Sequence, residues 1–158
     1  MADAVSFESR GPEDTRVLGE RLGRRLQPGD VVLLSGELGA GKTVFVQGMA
    51  RGAGYEGAVS SKSFVLLGEY PGRVKLYHAD LYRLEAPEQV EDLALDEICA
   101  DGALVVEWPE RAGDVLPEQH LLLRFEVTGE DTRTIGAEPH GARARELVQA
   151  LRTDGGGS

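Results

Sequence analysis

The chain carries one cysteine, one tryptophan, three histidines and no asparagine among its 158 residues. A single thiol closes no internal disulfide, and Cys99 falls in the apolar stretch 95–100, where a small buried hydrophobe is expected rather than a nucleophile. His78, His120 and His140 are scattered, without partners at metal-ligand spacing, so no metal site is assigned to them. No apolar run reaches membrane-spanning length, and the segment Met1 to Ser6 lacks the basic and apolar regions of a signal peptide. A soluble, cytoplasmic protein with no membrane partner is expected. Basic residues are also scarce, 17 against 27 acidic for a net charge of −10, so the summed field repels nucleic acid. DNA binding and direct, independent RNA binding are disfavoured. Arg21, Arg24 and Arg25 in the first helix and Arg143 and Arg145 in the last read as ordinary solvated faces.

What is present is concentrated in Gly36-Glu37-Leu38-Gly39-Ala40-Gly41-Lys42-Thr43, which matches the phosphate-binding P-loop, G-x-x-x-x-G-K-[ST], without gap or substitution. Glycines let the backbone curl until its N–H groups face an anion. Lys42 reaches the β- and γ-phosphates, and the Thr43 hydroxyl ligates Mg2+. In a chain with 21 glycines the flanks must support the match. Asp30 to Ser35 is a short continuous apolar run, as in a parallel strand buried on both faces. Thr43 to Arg51 reads as a helix, which sets the loop at a helix N-terminus where the dipole also favours anions. A nucleotide is therefore expected against Glu37, Leu38, Gly39, Ala40, Gly41, Lys42, Thr43 and Val44.

The rest of the pattern predicts one domain over 1–152, followed by a flexible tail over 153–158 that ends in Gly-Gly-Gly-Ser. Pro12 and Glu13 open a helix whose Val17, Leu18, Leu22 and Leu26 recur at helical spacing until Gln27-Pro28-Gly29. Ser63 to Tyr70 and Val74 to Asp80 flank a Pro-Gly turn as a hairpin. Pro87 opens an acidic helix ending at Asp101-Gly102, and Ala103 to Val106 is a second buried parallel strand. Leu121 to Val127 alternates as a half-exposed antiparallel strand, Gly129-Glu130-Asp131 turns into Arg133-Thr134-Ile135, and Gly141 to Arg152 closes as a helix. Strands alternating with helices around a P-loop imply a three-layer α/β P-loop NTPase domain with a mixed central sheet.

Phosphoryl chemistry needs a strand-end acid for the Mg2+ shell and usually another to orient the nucleophile. Asp80 ends the intermittently apolar strand from Val74, and Glu107 ends the cleaner strand from Ala103, just before Trp108-Pro109. Each is equally a strand-end acid facing water, but strand ends beside a P-loop face the phosphates. The hydroxyl-rich Ser60-Ser61-Lys62-Ser63-Phe64 reads either as a switch-like loop closing on the γ-phosphate or as a polar entry into a strand.

Taken together with the P-loop, Leu76-Tyr77-His78-Ala79-Asp80-Leu81-Tyr82-Arg83-Leu84, Pro87-Glu88 with Glu91-Asp92-Leu93, and Val106-Glu107-Trp108-Pro109-Glu110-Arg111 resemble the TsaE (YjeE) family over about residues 7–133. The resemblance implies a P-loop ATPase of bacterial tRNA threonylcarbamoyladenosine formation, with ATP and Mg2+ as cofactors. It implies Thr43, Asp80 and Glu107 at the metal, Lys42, Asp80 and Glu107 as the catalytic set, Trp108 beside the nucleotide, and Ser61 to Phe64 as the switch-like loop with Ser63 contacting nucleotide. The family's Ser-Pro-Thr becomes Ser61-Lys62-Ser63 here, which keeps a hydroxyl and loses a rigid proline. The partners implied are TsaB and TsaD, whose transferase turnover ATP hydrolysis supports, with tRNA met indirectly through that complex.

Rival readings are a small-molecule kinase, a guanine-selective switch, and an assembly module in which ATP binding matters more than hydrolysis. A kinase usually carries an arginine-rich lid, and no lid insertion is visible. Guanine selection uses Asn-Lys-x-Asp, which a chain without asparagine cannot supply. Activating positive charge has candidates in Arg83, Arg111 and Arg133, or in a partner.

Overall fold

Runs of valine, leucine and alanine with no polar interruption end up in the middle of a sheet, because only strands covered on both faces bury every side chain. A computed structural model describes residues 5–37, 40–57, 59, 67–82, 97, 100–112 and 116–153. Among them, β1 (Val5–Ser9), β2 (Val31–Ser35), β3 (Leu67–Tyr70), β4 (Leu76–Asp80), β5 (Ala103–Glu107), β6 (His120–Val127) and β7 (Arg133–His140) form one sheet in the order β1-β7-β6-β2-β5-β4-β3. The central neighbours β6, β2, β5 and β4 run parallel, while β3, β7 and β1 are added antiparallel. The mixed α/β architecture is the one the sequence predicts.

Helices α1 (Pro12–Arg25), α2 (Lys42–Gly52) and α3 (Ala142–Thr153) cover one face, where Leu22, Phe45, Met49 and Leu147 pack onto Val32, Leu34, Val105 and Leu123. On the other face Leu33, Tyr77, Leu104 and Val106 form a second apolar layer with Ala112 and Leu116. The acidic helix expected after Pro87, with Cys99, lies almost wholly outside the described residues, as do the switch-like loop 60–64 and Arg83.

Helices α1 and α2 meet backbone to backbone. A Cβ at Gly19 would stand 2.3 Å from the Phe45 carbonyl oxygen, and one at Gly23 2.2 Å from that of Met49. Reciprocally, a Cβ at Gly48 would stand 2.2 Å from the Arg16 carbonyl oxygen, and one at Gly52 2.3 Å from that of Glu20. Two Gly-x-x-x-Gly faces thus press the P-loop helix onto α1, the kind of approach that only small residues permit.

Several expectations need correction. The N-terminal strand β1 is absent from the expected pattern, because its alternation of Val5 and Phe7 with polar residues spans only five residues, too short to stand out locally. The segment expected as an antiparallel strand, β6, is antiparallel to β7 but parallel to β2, so it lies inside the sheet. Strand β7 runs to His140 instead of stopping at Ile135. It includes Pro139, which lies two residues beyond Ala137, the last β7 partner of the described β1 residues. Arg143 is no solvated face residue: its Nε and guanidinium nitrogen bond both oxygens of buried Asp30 at 2.8 and 2.9 Å, tying α3 to the entrance of β2.

Candidate functional site

Parallel strands that share a direction deliver their carboxyl ends to one sheet edge, and here that edge gathers the chemistry. Strand β2 ends at Ser35, and the chain then turns at Gly36 with φ +140°. A Cβ there would lie 2.6 Å from the Phe125 carbonyl oxygen of β6, so glycine is required by both conformation and contact. The Ala40 N–H donates to the Glu37 carbonyl oxygen at 3.1 Å. Gly41, at φ +102°, is the left-handed N-cap from which α2 starts at Lys42. Glu37 is exposed, Ala40 is buried, and Thr43 and Val44 occupy the half-buried first turn of α2. Leu38, Gly39 and Ser63, expected at the nucleotide, lie outside the described residues.

Lys42 is buried, and its ammonium donates to the Gly36 carbonyl oxygen while sitting 3.7 Å from the centre of the Trp108 ring. Burial lowers its pKa below the usual lysine value, and the carboxylates of Glu107, Glu110 and Asp80 pull it back upward. The structure thus brings Lys42, Asp80, Glu107 and Trp108 to one sheet edge. Asp80 and Glu107 are register partners on β4 and β5, and Leu34 at the end of β2 is the partner of Glu107 on its other side. Asp80 also accepts the Tyr82 N–H at 3.1 Å, which turns the chain away from the strand end.

Trp108 adopts φ +61°, among the described residues the one non-glycine position with positive φ. For a bulky residue such a conformation costs on the order of 1–3 kcal/mol, and it persists only where its surroundings impose it. The Trp108 backbone N–H donates to the Leu34 carbonyl oxygen at 3.2 Å, and the 3-10 turn Pro109–Ala112 follows immediately. The indole contacts Tyr82, ring centres 5.0 Å apart, and the Arg111 guanidinium lies 6.0 Å from the Tyr82 ring. Arg111 is thus near the site. Arg133 instead bonds the carbonyl oxygens of Gly129, Glu130 and Thr132 in the β6–β7 turn.

Three features escaped the sequence reading. His78 Nε2 lies 2.6 Å from Glu107 Oε2 and Nδ1 lies 3.2 Å from the Tyr70 hydroxyl, all three side chains being buried. The period of two in β4 puts His78 on the face of Asp80, so alternation with the correct register is the signal that finds it. Glu110 acts on Lys42 through its charge, from a turn whose path no local pattern reveals. Lastly, the β1–α1 turn abuts the P-loop: Ser9 and Thr15 hydroxyls, both buried, lie 2.7 Å apart, and the Thr15 methyl stands 3.7 Å from where a Gly41 Cβ would be.

The donors at this edge are a hydroxyl and two carboxylates, hard oxygen ligands suited to Mg2+. Among the described residues no three His, Cys, Asp or Glu side chains form a metal cage. Mg2+ usually takes one or two carboxylates and completes its shell with water and nucleotide phosphate. Among the described residues, too, no helix is long and apolar enough to cross a membrane.

The sequence model of the family described as "Threonylcarbamoyl adenosine biosynthesis protein TsaE" matches residues 9–135. The tRNA threonylcarbamoyladenosine biosynthesis protein TsaE of Treponema pallidum is 41% identical over 128 residues, covering 80% of this chain and 95% of that one. Its Bacillus subtilis namesake is 38% identical over 149 residues, 93% of either chain. The crystal structure of Bacillus subtilis YdiB superposes with a TM-score of 0.78 at 31% identity, over 94% of both chains.

Proposed function

Because the chain belongs to the TsaE family of tRNA threonylcarbamoyladenosine biosynthesis, we propose that it binds and hydrolyses ATP at the β2–α2 loop in support of TsaB and TsaD. The observation that carries the reading is the convergence of the Lys42 ammonium, the α2 N-terminus and two register-matched carboxylates on one sheet edge. An ammonium held at low exposure beside a helix N-terminus is preorganised for polyphosphate, where electrostatic attraction exceeds its value in water. Lys42 then exchanges its contact with the Gly36 carbonyl for the phosphate oxygens. Thr43, Asp80 and Glu107 would hold Mg2+, which when bound neutralises charge on the phosphoryl oxygens. A carboxylate that holds Mg2+ through a bound water rather than directly would also orient the attacking water. Titration of the protein with ATP, ADP and GTP, with phosphate release followed in parallel, tests both halves of this proposal.

Two further expectations follow. Turnover by the isolated chain is slow and rises on adding TsaB–TsaD, because Lys62 stands where a rigid proline would preorganise the switch-like loop. Groups supplied in trans contribute ~10³–10⁵ in rate to other P-loop proteins. Steady-state phosphate release that ignores the partners at every ionic strength tried rules this coupling out and favours the role of an assembly module.

The second concerns Trp108, the single tryptophan of the chain. Since Lys42 rests on its ring, moving the ammonium to a phosphate alters the indole environment. Emission changes saturably with nucleotide and Mg2+, and the change is lost in Lys42→Ala. Constant emission alongside calorimetric binding would detach Trp108 from the site.

A further inference from the structure

The chain from Tyr70 through His78 to Glu107 is built to aim a carboxylate. Glu107 is 3% exposed and His78 5%, so each depends on the other for a hydrogen-bond partner, and leaving either unpaired is costly. An ionised Glu107 only accepts hydrogen bonds, so His78 Nε2–H donates to Oε2. In the neutral ring Nδ1 is then the acceptor, and the Tyr70 hydroxyl donates to it. Burial, and then Tyr55 and Glu107, push the Tyr70 phenol pKa up, so its proton stays in place. The three residues come from three neighbouring strands: Tyr70 and His78 are diagonal across the β3–β4 pair, His78 and Glu107 diagonal across β4–β5. Register therefore sets the contacts, and Tyr55 closes the far end by packing its ring 5.1 Å from that of Tyr70.

We propose that His78 and Tyr70 are positioning residues that hold one oxygen of Glu107 within the sheet, fixing the direction in which its other oxygen meets the Mg2+ of the bound nucleotide. The inference rests on the ATPase reading above. His78 touches neither metal nor nucleotide in this scheme; it orients a group that does. Partners that orient ligands in this way typically account for 10–100-fold in metal affinity or activity.

The test uses full-length His78→Leu, His78→Gln and Tyr70→Phe beside the unaltered protein. Nucleotide affinity is measured by calorimetry with EDTA and across a Mg2+ titration, phosphate release is assayed, and folding is checked by thermal melting. His78→Leu raises the Mg2+ concentration for half-maximal effect by 10-fold or more, leaving affinity in EDTA within about 2-fold. His78→Gln recovers part of the loss, because its amide nitrogen supplies a donor near the Nε2 position. Tyr70→Phe shows a smaller shift of the same kind. If His78→Leu does not fold, the glutamine and phenylalanine variants carry the test alone. Mg2+ dependence like that of the unaltered protein in every folded His78 or Tyr70 variant overturns the inference, as does an equal loss in EDTA and in Mg2+. If the unaltered protein itself shows no Mg2+-dependent nucleotide binding, the ATPase reading falls and takes this inference with it.

Discussion

Lys42→Ala weakens ATP binding by roughly 30-fold to several thousandfold, corresponding to the loss of about 2–5 kcal/mol when one partner of a desolvated charge pair is removed. The size follows from where the ammonium sits. Lys42 is 4% exposed, and Glu107, Glu110 and Asp80 all act on it. Without the lysine, a polyphosphate approaches those carboxylates with one less opposing charge, so the defect is greatest when Mg2+ is withheld. Thr43→Ala behaves differently, impairing Mg2+-dependent hydrolysis more than binding, because a hydroxyl acts through the metal whereas the ammonium meets phosphate directly. Calorimetric titration of both variants with ATP, with and without Mg2+, distinguishes them. Unchanged affinity in Lys42→Ala would remove the phosphate site from this loop.

Gly48→Val destabilises the fold by about 3 kcal/mol or more, a fall of roughly 6–12 °C in Tm for a chain of this size. The nearest obstacles are the Arg16 carbonyl oxygen at 2.2 Å and the Glu20 N at 3.0 Å, backbone atoms that no rotamer change removes. The helices must separate, and Gly19, Gly23 and Gly52 lose their close contacts with them. Gly48→Ala moves the same way by less, since alanine recovers about 1 kcal/mol of helix propensity. Gly136→Ala is the control, because nothing lies within 4 Å of its added Cβ. Equal melting temperatures for Gly48→Val and the unaltered protein would sink the argument. The clamp also sets the position of the proposed site, since α2 carries Lys42 and Thr43, and α1 brings Thr15 against Gly41.

Much of the site was legible from residue type and order. Gly36 to Thr43 announces itself because a phosphate cradle needs glycines, a lysine and a hydroxyl at adjacent positions, so the information is local. The buried strands β2 and β5 are readable for the same reason: a run of apolar residues bounded by Asp30 or Gly102 carries its own burial signal. Strand-end position then made Asp80 and Glu107 candidates, and the sheet places them side by side.

What depends on residues far apart in sequence was not legible. His78 looks like an isolated histidine until β4 pairs with β5 and sets it 2.6 Å from Glu107. The four helix glycines vanish among 21 until α1 and α2 cross. Arg143 passes for a surface arginine until α3 lies over the start of β2 and Asp30. The sequence by itself determined the phosphate loop, the strand-end acids and the α/β class, because each is written in spacings of a few residues. Only the tertiary structure decided which buried partners hold Glu107, how tightly the P-loop helix is clamped and where Trp108 meets Lys42, because those contacts arise from strand register and helix packing between distant segments.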